Sequence, residues 1–476
     1  MVRRSMLWTA VIAACGLAAV PWMVSHAEEQ SEKPARDQQA SQQPVQRAAP
    51  APLADFTQKG LAYLAGQQNT DGGWGQGGGW RTASQGGRVE GADVKDPSDV
   101  GNTCVAVLSL VRSGSLPAAG EYAAHVTKGI DYICTNVERA DRQSIWVTDV
   151  RDTQLQSKIG QYVDTFLAAL VLSELKGKVP ADKGGSRIDA ACRKVIAKIE
   201  SNQKEDGTFA GNGGWASVLS QGLASKALNR AVQNGVSVRA EVLKRDFAQA
   251  EGQLAAAGAV AVPVADGSSP SGEESAKPVE KPKVIKDGES IAESAGRGSG
   301  FAGRGGLASG GADAGVQLYS LSANASRVAD LKISQDKDRK RAARVLTSET
   351  SSKEEKAQAS EQLREFDRVA ETQKQATDGL IKRLDDKQFI AGFGNNGGEE
   401  FLSHMNISEN LCALGGQEWE RWNKSISDVI GNVQNGDGSW SGHHCITGRT
   451  FCTSAALLTL MADRAPSPVV ENPSSK

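Results

Sequence analysis

The chain has 476 residues, in which 54 Lys and Arg balance 56 Asp and Glu, and aromatic side chains make up 5% of the total. This near-neutral balance gives no electrostatic basis for binding nucleic acid, so no nucleic-acid partner is expected. The 7 cysteines are too widely spread to be a disulfide scaffold, and most are expected to be small buried side chains.

The N-terminus has the pattern of an export signal over residues 1–27. Arg3 and Arg4 precede an apolar run over residues 7–24, and a small-residue cleavage site ends at Ala27. Two alternatives remain: a lipoprotein signal with Cys15 as the lipidated residue, and an uncleaved membrane anchor. In each case the protein is expected to leave the cytoplasm and to be periplasmic, secreted or tethered by its N-terminus.

Three segments lack the apolar residues that a core needs and are predicted to be disordered. Residues 28–52, rich in Gln, Pro, Ala and charge, form a tether. Residues 262–311, rich in Pro, Gly, Ser and charge, form an insertion, and residues 465–476 form a tail.

A short motif recurs along the chain. An apolar helical run over residues 59–64 is followed, over residues 68–74, by Gln, by an Asp-Gly turn and by Trp. Residues 199–209 and 430–440 follow the same order, and residues 128–133 keep only the helical half. The Gln amide is expected to bond backbone groups at a helix end, and Asp-Gly favours a tight turn. The aromatic side chain, as well as Trp80 and Trp215, is expected to hold such turns against the next unit.

Two kinds of helical run alternate from residue 55 onward. Runs with a charged face are expected to lie outside, and runs that are apolar on all sides are expected to be buried. The outer helices are predicted at residues 55–67, 122–136, 188–202, 239–257, 353–384 and 418–433. The inner helices are predicted at residues 100–111, 162–175, 216–231, 315–328, 401–414 and 450–461. The predicted fold class is therefore all-α.

Residues 332–384 are heavily charged, yet Leu363, Phe366 and Val369 fall on one helical face. One or two long helices standing out from the rest of the fold are predicted here. They form either a solvated outer helix or a coiled coil that binds a partner.

The motif at residues 59–74 resembles the QW motif of the squalene-hopene cyclase and prenyltransferase superfamily, which is terpenoid cyclase-like. The resemblance covers about the first half of the chain and its last quarter. It implies an α/α toroid, a ring of six inner and six outer helices around a cavity. Residues 53–261 would form its first half and residues 312–464 its second. The expected partner is a hydrophobic ligand or a protein in that cavity.

A polar residue precedes Thr near the start of three inner helices, at Asn102, Asp164 and Cys452. In a toroid this place faces the mouth of the cavity, where backbone N–H groups are also free. The alternative for Asn102 and Asp164 is an ordinary helix cap, because Asn, Asp and Thr are common N-cap residues.

A second cluster contains His443, His444, Cys445 and Cys452, with His404 on the preceding inner helix. Imidazole and thiolate together suit zinc or copper, and the neighbouring acids Glu399 and Glu400 are possible further ligands. The superfamily's protein prenyltransferases hold zinc near the mouth of their toroid. Cys452 stands where those enzymes have a zinc-binding His, so the resemblance implies only a weak zinc site.

Two alternatives to a metal site remain for this cluster: buried, satisfied side chains in a turn, and disulfide bonds between the cysteines. Because the first and last helix pairs adjoin when a ring closes, Cys452 is able to pair with Cys104 or with the nearby Cys445.

Catalytic residues are harder to find. The Asp-x-Asp-Asp acid of squalene-type cyclases and the diphosphate-ionising Asp-Asp-x-x-Asp pattern are both absent from the sequence, and aromatics are few. The remaining catalytic candidates are Asp164 and a Glu400–His404 acid–base pair. The sequence thus favours an exported toroid that binds a ligand or a protein without cyclising it. The alternative is a divergent enzyme, either prenyltransferase-like with a metal, terpene cyclase-like or glycan-acting.

Overall fold

The computed structural model describes residues 50–82, 86–91, 93–261, 316–394 and 396–466. These residues are mostly helical, so the all-α prediction is confirmed. The α-helices are α1 (Asp55–Gln67), α2 (Val100–Arg112), α3 (Ala123–Arg139), α4 (Gln154–Lys158), α5 (Val163–Leu175), α6 (Gly185–Asn202), α7 (Ser217–Gln233), α8 (Ala240–Ala256), α9 (Gln317–Thr347), α10 (Lys353–Ile381), α11 (Lys387–Ala391), α12 (Gly398–Leu414), α13 (Gly416–Asn432) and α14 (Arg449–Leu460).

The described strands are a single antiparallel pair, β1 (Gly79–Trp80) and β2 (Arg88–Val89). The predicted signal with Cys15, the tether up to residue 49, the insertion at 262–311 and the tail from residue 467 lie outside the described residues. None of the described helices combines the length and apolar character that crossing a bilayer requires.

The predicted helices are all present, with one change of connection. The inner run predicted at 315–328 and the charged segment after it form one continuous helix, α9. Gln317–Thr347 contains neither Gly nor Pro, so no residue interrupts it. The break comes at Ser352, which begins α10 with a capping box to Glu355.

Helix packing separates two sets. The central helices are α2, α5, α7, α9, α12 and α14. Each packs against the next in this order, and α14 also packs against α2. The peripheral helices are α1, α3, α6, α8, α10 and α13, and each packs on the outside of a central helix. Every residue of α2 and α5 is buried, as expected for helices that are apolar on all sides.

The motif glutamines join peripheral helices end to end. Each Gln follows the last turn of one helix and donates its side-chain amide to a carbonyl in the first turn of the next peripheral helix. The predicted contact with a helix end is therefore confirmed. The three bonds run from Gln68 Nε2 to His125 O (2.9 Å), from Gln203 Nε2 to Val242 O (3.2 Å) and from Gln434 Nε2 to Phe56 O (2.8 Å).

The Asp-Gly turn that follows has the predicted form. Asp71 Oδ1 accepts a hydrogen bond from Gly73 N at 3.0 Å, and Gly72 has a φ of 87°. A Cβ at Gly72 would lie 2.8 Å from Lys128 O, so the turn requires glycine for both conformation and space.

Two tryptophans hold these turns, as predicted. Trp74 and Trp440 are fully buried. Trp74 Nε1 donates to Leu64 O at 2.7 Å, and Trp440 Nε1 donates to Ile430 O at 2.8 Å. Each indole thereby satisfies a carbonyl in the last turn of the helix before it.

The rings of these tryptophans explain the Lys-Gly pair of the motif. A Cβ at Gly60 would lie 2.6 Å from the Trp440 ring, and one at Gly129 would lie 3.0 Å from the Trp74 ring. The helical run at residues 128–133 keeps the Lys-Gly pair without a following turn because its Gly129 packs against the indole of Trp74, from the preceding turn.

Replacing Gly60 with Ala should destabilise the protein. The added methyl group overlaps the Trp440 ring, and overpacking of this kind costs about 1–3 kcal/mol. Urea denaturation should show the loss in the free energy of unfolding. The matched control is Gly66→Ala on the same helix, where an added Cβ meets nothing within 4 Å. It should stabilise by up to about 1 kcal/mol, because alanine favours the helix. Equal effects of the two substitutions would contradict the proposed role of Gly60.

Candidate metal centre

The loop before α14 meets the beginnings of α9 and α12. Gly398 N, in the first turn of α12, donates to Ile446 O at 2.9 Å. Tyr319, in the first turn of α9, donates its hydroxyl to the Glu400 carboxylate. Gln154 Nε2 reaches the same loop and donates to Cys445 O at 2.8 Å. Residues far apart in sequence are thus brought to one place.

Three possible metal ligands converge there, and we call them the donor group: Glu399, Glu400 and His444. One ligand atom from each lies within 4.8 Å of the others. Both glutamates are 0% exposed, and the His444 side chain is 11% exposed. Of the three, the two glutamates were expected only as additional ligands, whereas His444 was a primary candidate.

The hydrogen bonds of the donor group are incomplete. Glu400 Oε1 accepts from Tyr319 and, at 2.9 Å, from Phe393 N. Glu400 Oε2 lies 3.0 Å from His444 Nε2, yet neither atom has a well-aligned hydrogen-bond partner among the described residues. Glu399 Oε1 also has none. Buried polar atoms normally have partners, so these incomplete hydrogen bonds mark the donor group as a candidate cation site.

Gly397 packs closely against these atoms. A Cβ at this position would lie 2.7 Å from Glu400 Oε2 and 2.9 Å from His444 Nε2. Any side chain here would therefore crowd the carboxylate and the imidazole. The residues present fit a metal ion in their donor chemistry.

The pKa values of the two glutamates are driven apart. Burial and the neighbouring Glu400 raise the pKa of Glu399 to about 7. Burial also disfavours the Glu400 anion, but His444 and Tyr319 hold the pKa of Glu400 below its usual value. Burial opposes protonation of His444, but Cys445 and Glu400 raise its pKa to about 10. Glu400 and His444 therefore form an ion pair beside a carboxyl that readily keeps its proton.

Exposed aromatic rings lie next to the donor group. Phe393 is 56% exposed and Trp215 is 39% exposed. The Phe393 ring lies 5.7 Å from the Trp215 ring and 5.1 Å from the His444 ring, with edge-to-face geometry in both cases. Trp215 and Trp80, both predicted to hold turns, are thus far more exposed than Trp74 and Trp440. The two rings offer an apolar surface beside the donor group.

The other histidines of this region lie outside the donor group. His404 is buried against Trp422, and its Nε2 lies 3.1 Å from Ile390 O. Glu400 bonds Tyr319 and faces His444 instead, so the predicted Glu400–His404 acid–base pair is not formed. His443 is more exposed, and its Nδ1 lies 3.0 Å from Asn396 O.

The cysteines form no predicted disulfide. Cys104 and Cys452 are buried thiols, and Cys445 is a half-buried thiol. Cys452 Sγ donates to Ile446 O at 3.3 Å, and burial raises the pKa of its thiol well above the usual value. The Cys445–Cys452 and Cys104–Cys452 pairings are therefore wrong, and Cys452 is already bonded as a neutral side chain.

Asn102 and Asp164 lie in a separate buried cluster. Asp99, not Asn102, caps α2, and its Oδ1 accepts from Asn102 N at 2.7 Å. Asp164 Oδ1 accepts from Gly101 N at 2.8 Å and so links the start of α5 to that of α2. Asn102 was predicted either to face a cavity mouth or to cap the helix. It makes a buried hydrogen bond instead, with its Nδ2 donating to Asp99 Oδ2 at 2.8 Å.

The threonine of the same pattern has a clear role. Thr103 Oγ1 accepts from Trp74 N, and Thr453 Oγ1 accepts from Trp440 N, both at 2.9 Å. The shared register of these helices is thus set by the contact between Thr and the turn tryptophan.

Buried charges between the central helices were not expected from the sequence. We call them the central ion cluster: Arg112, Lys226, Arg230, Glu174, Asp330 and Glu409, all of them buried. Its three cations and three anions balance. Arg112 contacts both Glu174 (2.8 Å) and Glu409, and Lys226 contacts Glu409 (2.6 Å) and Asp330 (3.0 Å). Burial alone would raise the pKa of Glu409, but Arg112 and Lys226 hold it well below its usual value. Single charged residues in otherwise apolar helices were the only sequence signal for this cluster.

Comparison of the sequence with protein-family models, with curated proteins and with solved structures finds no match. Function therefore has to be inferred from the chemistry of the site itself.

Replacing Glu409 with Gln should destabilise the protein strongly. The substitution leaves Arg112 and Lys226 with one anion fewer in a buried setting, which costs about 3–5 kcal/mol. The free energy of unfolding in urea measures the loss. The control Glu418→Gln removes an exposed carboxylate that pairs with Arg421 and should change little. An equally small effect at Glu409 would show that the central ion cluster does not stabilise the fold.

Replacing Asp99 with Asn should stabilise the protein more at neutral than at acidic pH. Burial and Asp164 raise the pKa of Asp99 to about 7, so the folded protein binds a proton that the unfolded chain releases above about pH 4. The free energy of unfolding of the wild type therefore falls as pH rises. Between about pH 5 and about pH 7, the difference between variant and wild type should grow by about 2 kcal/mol.

Urea unfolding at the two pH values measures this change, since Asn keeps the capping oxygen. Asp386→Asn is the control, because Asp386 caps α11 with a lowered pKa and so titrates below this pH window. A difference at Asp99 that does not change with pH would contradict the raised pKa.

Proposed function

We propose that the protein is an exported binding module built as an α/α toroid of six inner and six outer helices. The order of contacts among the central helices, which returns from α14 to α2, supports this architecture. So does the resemblance of residues 59–74 to the QW motif. The proposed partner is a hydrophobic ligand or a protein, with no role for nucleic acid and with membrane contact only through the N-terminus.

The observation that carries the proposal is the donor group. Glu399, Glu400 and His444 each bring one ligand atom within 4.8 Å of the others, and Glu399 Oε1 is buried without a hydrogen-bond partner among the described residues. One imidazole nitrogen and two carboxylate oxygens suit zinc, which accepts both atom types in a four-coordinate site. Zinc would neutralise the glutamates and fix the loop before α14 against α9 and α12.

The ligand surface proposed here is the pair of exposed rings beside this site. Trp215 and Phe393 present apolar faces that a hydrophobic ligand or an apolar side chain of a protein partner is able to cover. Phe393 is connected to the donor group through its backbone, since its N–H donates to Glu400. Metal binding and ligand binding would therefore support each other.

The central ion cluster favours binding over terpene cyclisation. A carbocation requires a dry, aromatic-walled pocket, whereas charged pairs such as Arg112–Glu174 lie between the central helices. An enzyme remains a second candidate, favoured by the opposite pKa shifts of Glu399 and Glu400. Such pairs act as acid and base in metal-dependent and glycan-acting enzymes, and a divergent prenyltransferase-like reaction is included here.

Purified protein should bind one zinc ion per chain in titration calorimetry. His444→Ala and Glu399→Gln should each abolish or greatly weaken binding, because each removes one ligand. His443→Ala is the matched control, since His443 is adjacent and more exposed but lies outside the donor group. Binding that is absent from the wild type, or lost equally in the His443 variant, would refute the proposed site.

A further inference from the structure

Helix α9 is much longer than the other central helices. It has 31 residues, whereas the others have 12 to 17. Asp330 of the central ion cluster lies near its middle, and Ser334 Oγ still donates to Asn229 O of α7 at 3.2 Å. The helix then continues to Thr347, which adds about 20 Å at about 1.5 Å per residue. Residues 335–347 therefore form an arm that extends beyond the ion cluster.

One side of the arm packs against α10. Ala342 on this side is 3% exposed, and Arg339 pairs with Asp367 of α10 at 2.6 Å. Helical spacing places residues 335, 339, 342 and 346 on the same side. Residues on the opposite side of the arm therefore face away from α10.

The side of the arm that faces away from α10 is basic. We call it the basic stripe, and its residues, all exposed, are Lys337, Lys340, Arg341 and Arg344. Lys340 pairs with Asp336 at 2.6 Å, whereas the other three have no ion pair with a described residue. Those three lie at spacings of four and three residues, which keeps them on one face of the helix. A chain whose charges nearly balance thus concentrates positive charge at one place.

The N-terminal end of the described fold lies at the same end of the central helices as the arm. The central ion cluster marks their C-terminal end, since Arg112 is the last residue of α2. Arg230 of this cluster donates to Pro466 O at 2.7 Å, and the nearby Asp463 Oδ2 accepts from Ala51 N at 3.1 Å. A tether that leads to residue 50 would therefore bring this end of the protein, and the arm with it, towards a membrane.

We propose that the basic stripe binds the anionic headgroups of a lipid bilayer. Under the proposed function only the N-terminus contacts a membrane, and the stripe adds a second contact. Clusters of four or more Lys and Arg on a helix attract anionic lipids, because each cation near the surface is drawn to its negative potential. A weak anchor becomes a stable one when a basic patch adds such a contact.

The chemistry of the stripe favours a lipid surface over a protein partner. Its side chains are all charged, whereas the centre of a protein interface is depleted of charge and rich in apolar side chains. A bilayer requires no matching shape and offers a dense array of anions. Glu354 and Glu361 of α10 are exposed acids, so the α9 side of the helix pair is the side that would face the headgroups.

Partitioning of the full-length protein into vesicles tests this inference. The wild type should partition more strongly into vesicles that contain phosphatidylglycerol than into pure phosphatidylcholine. Raising the salt from about 0.1 M to about 1 M should remove this preference, because the Debye length falls from about 10 Å to about 3 Å. Lys337→Gln/Arg341→Gln should lower the partition coefficient for the anionic vesicles by about 25-fold, since each cation near such a surface contributes about fivefold.

The matched control is Arg142→Gln/Lys387→Gln, which also removes one Arg and one Lys. Both residues are exposed and lie outside the stripe, so this variant should partition like the wild type. Circular dichroism should be the same for all three proteins, because the substituted positions are exposed and Gln is a good helix former. The N-terminus is common to the three proteins, so its contribution cancels when their partition coefficients are compared.

Three results would overturn the proposal. The first is equal partitioning of the wild type into the two kinds of vesicle at low salt. The second is an equal loss in the stripe variant and the control, which would show a general effect of net charge. The third is binding to soluble polyglutamate without a preference for anionic vesicles, which would identify an acidic protein as the partner instead.

Discussion

An ionised side chain that leaves water has to meet an opposite charge, and this constraint accounts for two polar regions of the interior. Between the central helices it is satisfied. Arg112, Lys226 and Arg230 balance Glu174, Asp330 and Glu409, and five of the six central helices contribute to the cluster. The apolar helices therefore cannot slide past one another without separating a buried pair. Charge pairing therefore adds to apolar packing in holding these helices in place.

At the beginnings of α9 and α12 the same constraint is met in another way. Glu400 pairs with the single imidazole of His444, and the raised pKa of Glu399 lets that carboxyl keep its proton. Glu399 Oε1 has no hydrogen-bond partner among the described residues, but the same is true of Arg230 Nε in the central ion cluster. What distinguishes the donor group is that three possible ligand atoms lie within 4.8 Å of one another, and this is why a cation is proposed there.

Local signals in the sequence were sufficient for much of the fold. Apolar periodicity located every central and peripheral helix, and the Gln, Asp-Gly and Trp residues of the motif make the contacts that their chemistry predicts. The predictions that failed were those that depended on contacts between residues distant in sequence. The partners of Arg112 lie on other helices, and Glu400 meets His444 rather than His404, one turn away on its own helix. Helical spacing predicts which residues are neighbours along one helix. Tertiary packing decides whether a side chain contacts such a neighbour or a residue more distant in sequence.

The donor group and the exposed rings are linked through Glu400. The proposed ion would hold the loop before α14 against α9 and α12, and the hydrogen bond from Phe393 N to Glu400 would transmit that rigidity to the aromatic surface. A rigid apolar surface loses less conformational entropy on binding. The buried donor group would therefore preorganise the exposed surface beside it, although the proposed partner need not contact the metal.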